Sequence, residues 1–522
     1  MSKRIYFRNF KLANFIYPKN CLPLWIKNFL YKKNLIEPSE IQTGSSFSLE
    51  NTIEKPFIKF DLKGNTYQEQ LTGKNLLDYK TVEATPNTTV TLIENGFKVE
   101  GKYAGKVTIT GLKINTDYYL SYIRENIIGS YKAVKIFAGT TQTTEIALIL
   151  NPATFNTGEN TTINIWFYAA SGSTTNESNF TNIQLEEGST ATVYEPYCGG
   201  IPSPNPDFPQ QIKNVTGNAN VKIQNKNLFD GTYSEEGKYL RNDGATGDQS
   251  NFNISNFISV KSNTNYELTA LFEGSATLGG VASMCEYDDN ETFIKGTQYN
   301  GATVFAFTTS ANTKKIKISY RTDASNYQLE IGSTATTYVE HEEQNLPFTF
   351  AEGQRAMQGT TLQDDGIHNE YKQKIFDGSN DESWNLQSIN ANGIANFYIG
   401  LSDYSGRSQN LALVNYFTPQ TTPIAQTTEE GFYLVSVKTL YIRIKSSTAS
   451  TVAEFRTWLS THNLLVEYEL AEEQIIPYSE TQATQYNAIK QAKSYNDQTN
   501  ISQTNDDLPF IIDLQYWKLK EI

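Results

Sequence analysis

Apolar and polar residues alternate along much of the chain. Val107 and Ile109 alternate with Lys106, Thr108 and Thr110. Ile163, Ile165 and Phe167 alternate with Asn164, Trp166 and Tyr168, and Ile316, Ile318 and Tyr320 with Lys317, Ser319 and Arg321. A period of two puts one set on each face of a β-strand. Glu94-Asn95-Gly96 separates two such runs, and Asn-Gly accepts the positive φ of a tight turn, so this stretch predicts a hairpin. Helical spacing is found in two places. Val452, Phe455 and Leu459 share a face within residues 450–460. Tyr486, Ile489 and Ala492 follow Ser479 and Gln482, which have capping-box spacing.

The pattern repeats. Gln184-Leu185-Glu186-Glu187-Gly188-Ser189-Thr190-Ala191-Thr192-Val193-Tyr194 returns at Gln328–Tyr338 with nine of eleven positions matching. Lys74-Asn75-Leu76-Leu77-Asp78 returns at Lys226–Asp230, and Asn115–Leu120 returns at Asn263–Leu268. The offsets are 152, 148 and 144, so order is kept and only loop lengths drift. Two copies of one module are therefore expected, at 74–198 and 225–343. Many short strands with polar turns predict a mainly β protein of tandem antiparallel β-sandwich modules, jelly-roll-like, with a short helical C-terminal segment. Four Pro within residues 202–209 mark 199–224 as an extended linker between the copies. A second linker, 344–370, precedes a third sandwich-like domain at 371–478, and a helix and a strand fill 479–522. Residues 1–73 are left as a basic, aromatic attachment segment.

Charge adds to that division. The net charge of the 522 residues is −13, which argues against general nucleic-acid binding. Residues 1–36 hold eight Lys or Arg, no acid and eight aromatics, so the rest carries −21. Arg4, Arg8, Lys27, Trp25 and Phe29 are the residues expected to dock this segment on an acidic partner or an anionic surface. The run 22–31 is broken by Pro23, Lys27 and Asn28, so no signal peptide is predicted, and synthesis in a cytoplasm is expected. Three Cys and three His, widely spaced, fit no disulfide framework or metal motif.

The stretch 184–211, with Gly199-Gly200-Ile201-Pro202-Ser203-Pro204-Asn205-Pro206-Asp207-Phe208-Pro209, resembles the minor structural proteins of tailed bacteriophages of Gram-positive bacteria. So do Asn225–Asp230, the joint Leu362–Glu370 and the end from Phe455 to Leu470 followed by a helix. The resemblance covers about residues 58–522, and residues 1–50 do not fit it. It implies a tail-tip, baseplate or tail-fibre component located in the virion, with sandwiches similar to carbohydrate-binding modules. The implied partners are other tail proteins, a host cell-wall or surface glycan, and further copies of the chain in a closed trimer.

Candidate chemistry is sparse. No G-x-S-x-G, H-E-x-x-H or P-loop is present. Glu186-Glu187 and Glu472-Glu473 are strand neighbours that point to opposite faces, so neither pair can flank one glycosidic bond. No enzyme is expected. A polysaccharide depolymerase and a bacterial surface adhesin are the alternatives. Glu286, Asp288 and Asp289 form an acidic loop that could hold Ca²⁺, although it lacks the spacing of a calcium loop; no other cofactor is expected. Sugar rings stack on aromatic faces, which makes the outward-facing Tyr119 and Trp166 ligand candidates, together with Tyr287 beside the acidic loop. Tyr118 and Tyr266, aromatic in both copies, are expected in the core.

Overall fold

The alternating segments form strands. A computed structural model describes residues 36–172, 174–272, 283–298, 304–407 and 412–520. The fold is mainly β and antiparallel, with two α-helices among the described residues. The described residues divide into two units, 36–66 with Asn214–Asn369 and 474–520, and Tyr67–Lys213 with Glu370–Glu473.

The second unit contains the first module. One of its sheets runs in the order Ala153–Asn156, Asp117–Ile128, Asn176–Glu187, Gly96–Gly101, Thr88–Ile93. The other runs Glu145–Ile149, Val134–Ala138, Thr162–Tyr168, Ala104–Thr110, Glu83–Ala84. Val107, Ile163, Ile165 and Phe167 meet Tyr118, Leu120, Phe97 and Phe180 in the core between the sheets. The predicted hairpin is present: Ile93 pairs with Gly96, and Asn95 takes φ 54°.

The second module, in the first unit, repeats this plan. Val304–Thr308, Asn265–Phe272 and Ala324–Ile331 form one sheet, and Phe293–Gln298, Ser283–Tyr287, Lys315–Arg321, Thr246–Ser255 and Tyr233–Leu240 follow one another in the other. Each copy has a bulge at the equivalent place. Asn182 and Ile183 stand opposite Tyr122, and Asn326 and Tyr327 opposite Ala270; Asn182 and Asn326 take φ 48° and 53°. The copies differ at the edge, because the hairpin that extends the first sheet of module one has no counterpart in that sheet among the described residues of module two.

Polar side chains lock both copies in the same way. The Asn75 amide donates to the carbonyls of Ile183 and Glu195 and accepts from the N–H groups of Leu77 and Leu185. Asn227 does the same with Tyr327, Val339, Phe229 and Leu329. Glu186 accepts from the Thr192 N–H and hydroxyl and from Gln184; Glu330 accepts from Thr336 and Gln328. The Tyr118 and Tyr266 hydroxyls accept from the N–H of Lys113 and Lys261, so both rings are core, as expected. The repeated string is thus a buried hydrogen-bond clamp, which accounts for its near identity.

The first unit also contains a domain that local sequence does not mark. Ile36–Pro38, Trp517–Leu519, Phe47–Thr52, Asp497–Asn505, Asn218–Gln224 and Glu343–Thr349 are successive strands of one sheet. Gln42–Gly44, Ile511–Gln515, Lys59–Lys63 and Thr361–Gln363 are neighbours in another. Leu49, Leu62, Val221, Phe348, Ile501 and Ile512 share their core. Residues 36–66, taken above as attachment segment, and 344–369, taken as linker, are therefore structural strands. The Ser48 hydroxyl bonds Asn500 from 452 residues away, and such short strands declare themselves only through distant partners. The helix Glu480–Lys490 has the expected capping box of Ser479 and Gln482 and buries Ile489, with Ala492, in this same core. Its apolar face folds back on its own unit.

One further expectation changes in the second unit. Residues 199–210 are not a free spacer, because Ser203 bonds Leu71 through both its N–H and its hydroxyl, and Gln210 donates to the carbonyls of Val414 and Asn415. The region 371–478 has a strand order of its own, and Phe376, Val414, Val466 and Tyr468 from neighbouring strands of a second sheet enter its core. Its core combines the sheet Asn385–Ile389, Ile394–Gly400, Thr439–Lys445, Gly431–Val435 with the helix Val452–His462, which buries Phe455, Trp458 and Leu459.

Candidate functional site

The outer face of the second sheet of module one carries an aromatic strip. In Thr162–Tyr168 the isoleucines and Phe167 point inward, which leaves Asn164, Trp166 and Tyr168 outward. Trp166 stacks on Tyr168 at 5.9 Å and meets Phe137 edge-on at 5.9 Å; Tyr131 meets Tyr168 edge-on at 6.2 Å. The loop 139–144 closes over part of the strip, where Gln142 donates to the Tyr168 hydroxyl and Asn164 donates to the Thr140 carbonyl. Burial pushes the Tyr168 phenol up to about 12.

The strip ends at a cleft of about 660 Å³, lined by Tyr131, Lys132, Lys135, Leu148, Leu150 and Asn176 among others. Its volume is in the range of small-molecule sites, roughly 300–1,000 Å³. Arg124 fixes its walls from behind. The guanidinium donates to the carbonyls of Tyr131 and Tyr168 and to the Ser178 hydroxyl, and lies 4.9 Å over the Phe180 ring. Its Nε and Nη1 are enclosed without a partner, and burial lowers its pKa.

Module two opens a smaller cleft, about 320 Å³, lined by Tyr239, Arg241, Asn242, Asp243, Ser283 and Gln298. By sheet order Ser283–Tyr287 and Phe293–Gln298 correspond to Val134–Ala138 and Glu145–Ile149, so both clefts lie at the same end of the same strand pair. Phe272 stands at the position of Arg124.

Sequence reasoning located one part of this site. Trp166 lies on the strip. Tyr119 lies on the outer face of the opposite sheet, with its hydroxyl donating to the Pro152 carbonyl at 3.2 Å, so the two rings do not share a site. Tyr287 is buried between Phe257 and Phe293 and is a core ring, because both faces of its strand are covered. The acidic loop does not converge as a calcium site would. Glu286 is 1% exposed and turns inward to the Ser310 N–H, the Thr313 hydroxyl and Lys295. Burial pushes its carboxyl up, but these bonds outweigh burial and hold it below the usual range. Asp288 caps a turn through the Thr292 N–H, and Asp289 is exposed. Among the described residues no three His, Cys, Asp or Glu are grouped as metal ligands. Arg4, Arg8, Trp25, Lys27 and Phe29 lie outside the described residues.

Arg124, Tyr131, Lys132 and Lys135 were missed. The signal was available for Lys135: alternation in Val134–Ala138 puts it outward with Phe137, on the face that carries Trp166. A second missed surface is the rung Tyr398, Tyr441, Tyr433 across three strands, with centroids 5.6 and 4.4 Å apart and Arg443 4.3 Å over Tyr433. These rings stack on one another, so their faces are largely occupied and the rung clads the sheet. No protein-family profile matches this chain, and none of the curated proteins matches it.

Proposed function

We propose that the chain is a non-enzymatic component of a bacteriophage tail end, a baseplate or tail-fibre protein that presents its modules to a glycan of the host surface. The observation that carries the binding reading is the pair of clefts at one end of two copies of a single sandwich. The buried clamp is nearly invariant between the copies, while the cleft walls differ in size and charge. A constant scaffold with variable end loops suits recognition. Beside the larger cleft the half-buried Tyr131 and Trp166 offer aromatic edges, and the exposed Ser130 and Thr174 offer hydroxyl partners for sugar hydroxyls. The tail-end assignment rests on the string resemblance at 184–211 and 362–370. On this reading the chain sits in the virion beside other tail proteins and assembles as a closed homotrimer, and Tyr119 is available to a neighbouring copy.

The test is retention of the purified chain on host cell walls and on glycan panels, with an assay for new reducing ends and a mass measurement in solution. Retention without new ends, from a trimer, is the expected result. Chain that passes over both supports unretained overturns the glycan reading, and release of sugar ends makes it an enzyme. A stable monomer at micromolar concentration refutes the trimer.

A further inference from the structure

We infer that the cleft of module one takes an anionic saccharide, one that carries a carboxylate or phosphate group, whereas the cleft of module two does not select for charge. The inference rests on the glycan reading above and adds the ligand class. In a chain of net charge −13, the residues lining this cleft include Lys132 and Lys135 and no carboxylate. Lys132 is exposed, and no ion-pair partner is found for it among the described residues. Lys135 is held at 2.8 Å by Glu145, whose own side chain lies outside the lining. Glu177, next to the lining Asn176, is engaged by Lys98 at 3.3 Å. Behind the wall, Arg124 adds a third positive charge with no carboxylate partner among the described residues, and two of its nitrogens are unpaired.

Lys132 and Arg124 draw an anion outright, and Lys135 does so against the pull of Glu145. A cleft with low-dielectric walls and one sign of charge concentrates ions of the other sign. Leu148 and Leu150, 51% and 58% exposed, supply an apolar lip for the ring of a sugar. The second copy lacks this arrangement. Arg241 and Asp243 balance in its lining, and Phe272 and Ala324 replace the Arg124–Phe180 pair.

Two substitutions on opposite sides of the charge balance test this in the full chain. Lys132→Gln removes the unpaired cation, and Glu145→Gln frees Lys135 from its acid. The probes are a uronic-acid oligosaccharide, a phosphodiester-linked saccharide polymer and a neutral glucan, titrated at low and at raised salt, with melting curves to show that each variant is folded. The expected result is preference for one or both acidic probes, weakened about fivefold by Lys132→Gln and strengthened about fivefold by Glu145→Gln, with both effects shrinking in salt. Which acidic probe responds identifies the anion. Equal binding of neutral and acidic probes, or affinities that neither substitution moves, overturns the inference and leaves the glycan reading intact. If no glycan probe binds, and host cell walls do not retain the chain either, the glycan reading itself falls.

Discussion

Glu267 faces Glu330 across neighbouring antiparallel strands of the second module, and both side chains are buried. In the first module the same place pairs Tyr119 with Glu186. The second copy has therefore put a carboxylate against the acid of its own clamp. One Glu267 oxygen has no partner. Burial, and then the charge of Glu330, raise the Glu267 carboxyl above its ordinary range.

An acid whose folded-state pKa is raised keeps its proton in the folded chain after the unfolded chain has lost it. Its contribution is complete below the unfolded-state pKa and is lost as pH rises through the folded value. Glu267→Gln should therefore stabilise the first unit at neutral pH by about 1 kcal/mol and have little effect at pH near 4. Urea unfolding at the two pH values checks this, and an equal effect at both would contradict it.

Glu186 has the opposite sign. Burial pushes its carboxyl up, but the bonds from Thr192 and Gln184 and the charge of Lys74 outweigh it and leave it low. Its stabilisation is present above the unfolded-state pKa and disappears as pH falls through the folded one. Glu186→Gln should cost about 1–3 kcal/mol at neutral pH, and the gap from the unmodified chain should close toward acid pH. A gap that stays constant with pH would mean that the clamp does not depend on the charge.

The Asn75 and Asn227 amides each make four hydrogen bonds to backbone groups, three of them buried. Asn75→Ala and Asn227→Ala leave those groups unpaired, and each should cost about 2–4 kcal/mol. Because the clamps lie in different units, the losses should add within about 0.5 kcal/mol in the double variant. Differential scanning calorimetry of the two single variants and the double one measures this.

The discontinuous domain makes the chain sensitive where a tail-like segment would tolerate change. A side chain at Gly64 would place its Cβ 2.0 Å from the Met357 carbonyl oxygen, so Gly64→Ala should destabilise by about 1–3 kcal/mol. Removing residues 1–50 takes away Ile36–Pro38, Gln42–Gly44 and most of Phe47–Thr52. That deletion should lower the melting temperature of the first unit, as followed by circular dichroism, rather than leave its fold untouched.

Much of the fold was legible because its causes are local. Alternation at Ile163–Phe167 and Ile316–Tyr320, the Asn95 turn and the Ser479 cap depend on residues near them in the chain, and the repeated string announced two copies of one module. Tertiary structure alone decided the rest. Ser48 and Asn500 share a sheet although each stretch is short and polar, and a strand of that kind is stabilised by its pairing partner rather than by its own propensity. The same reason explains the site. An outward ring is indistinguishable in sequence from a packed one, so Tyr287 and Trp166 looked alike until the fold buried the first between Phe257 and Phe293 and left the second half-exposed. Arg124 became visible only when the fold brought the Tyr131 and Tyr168 carbonyls within reach of one guanidinium.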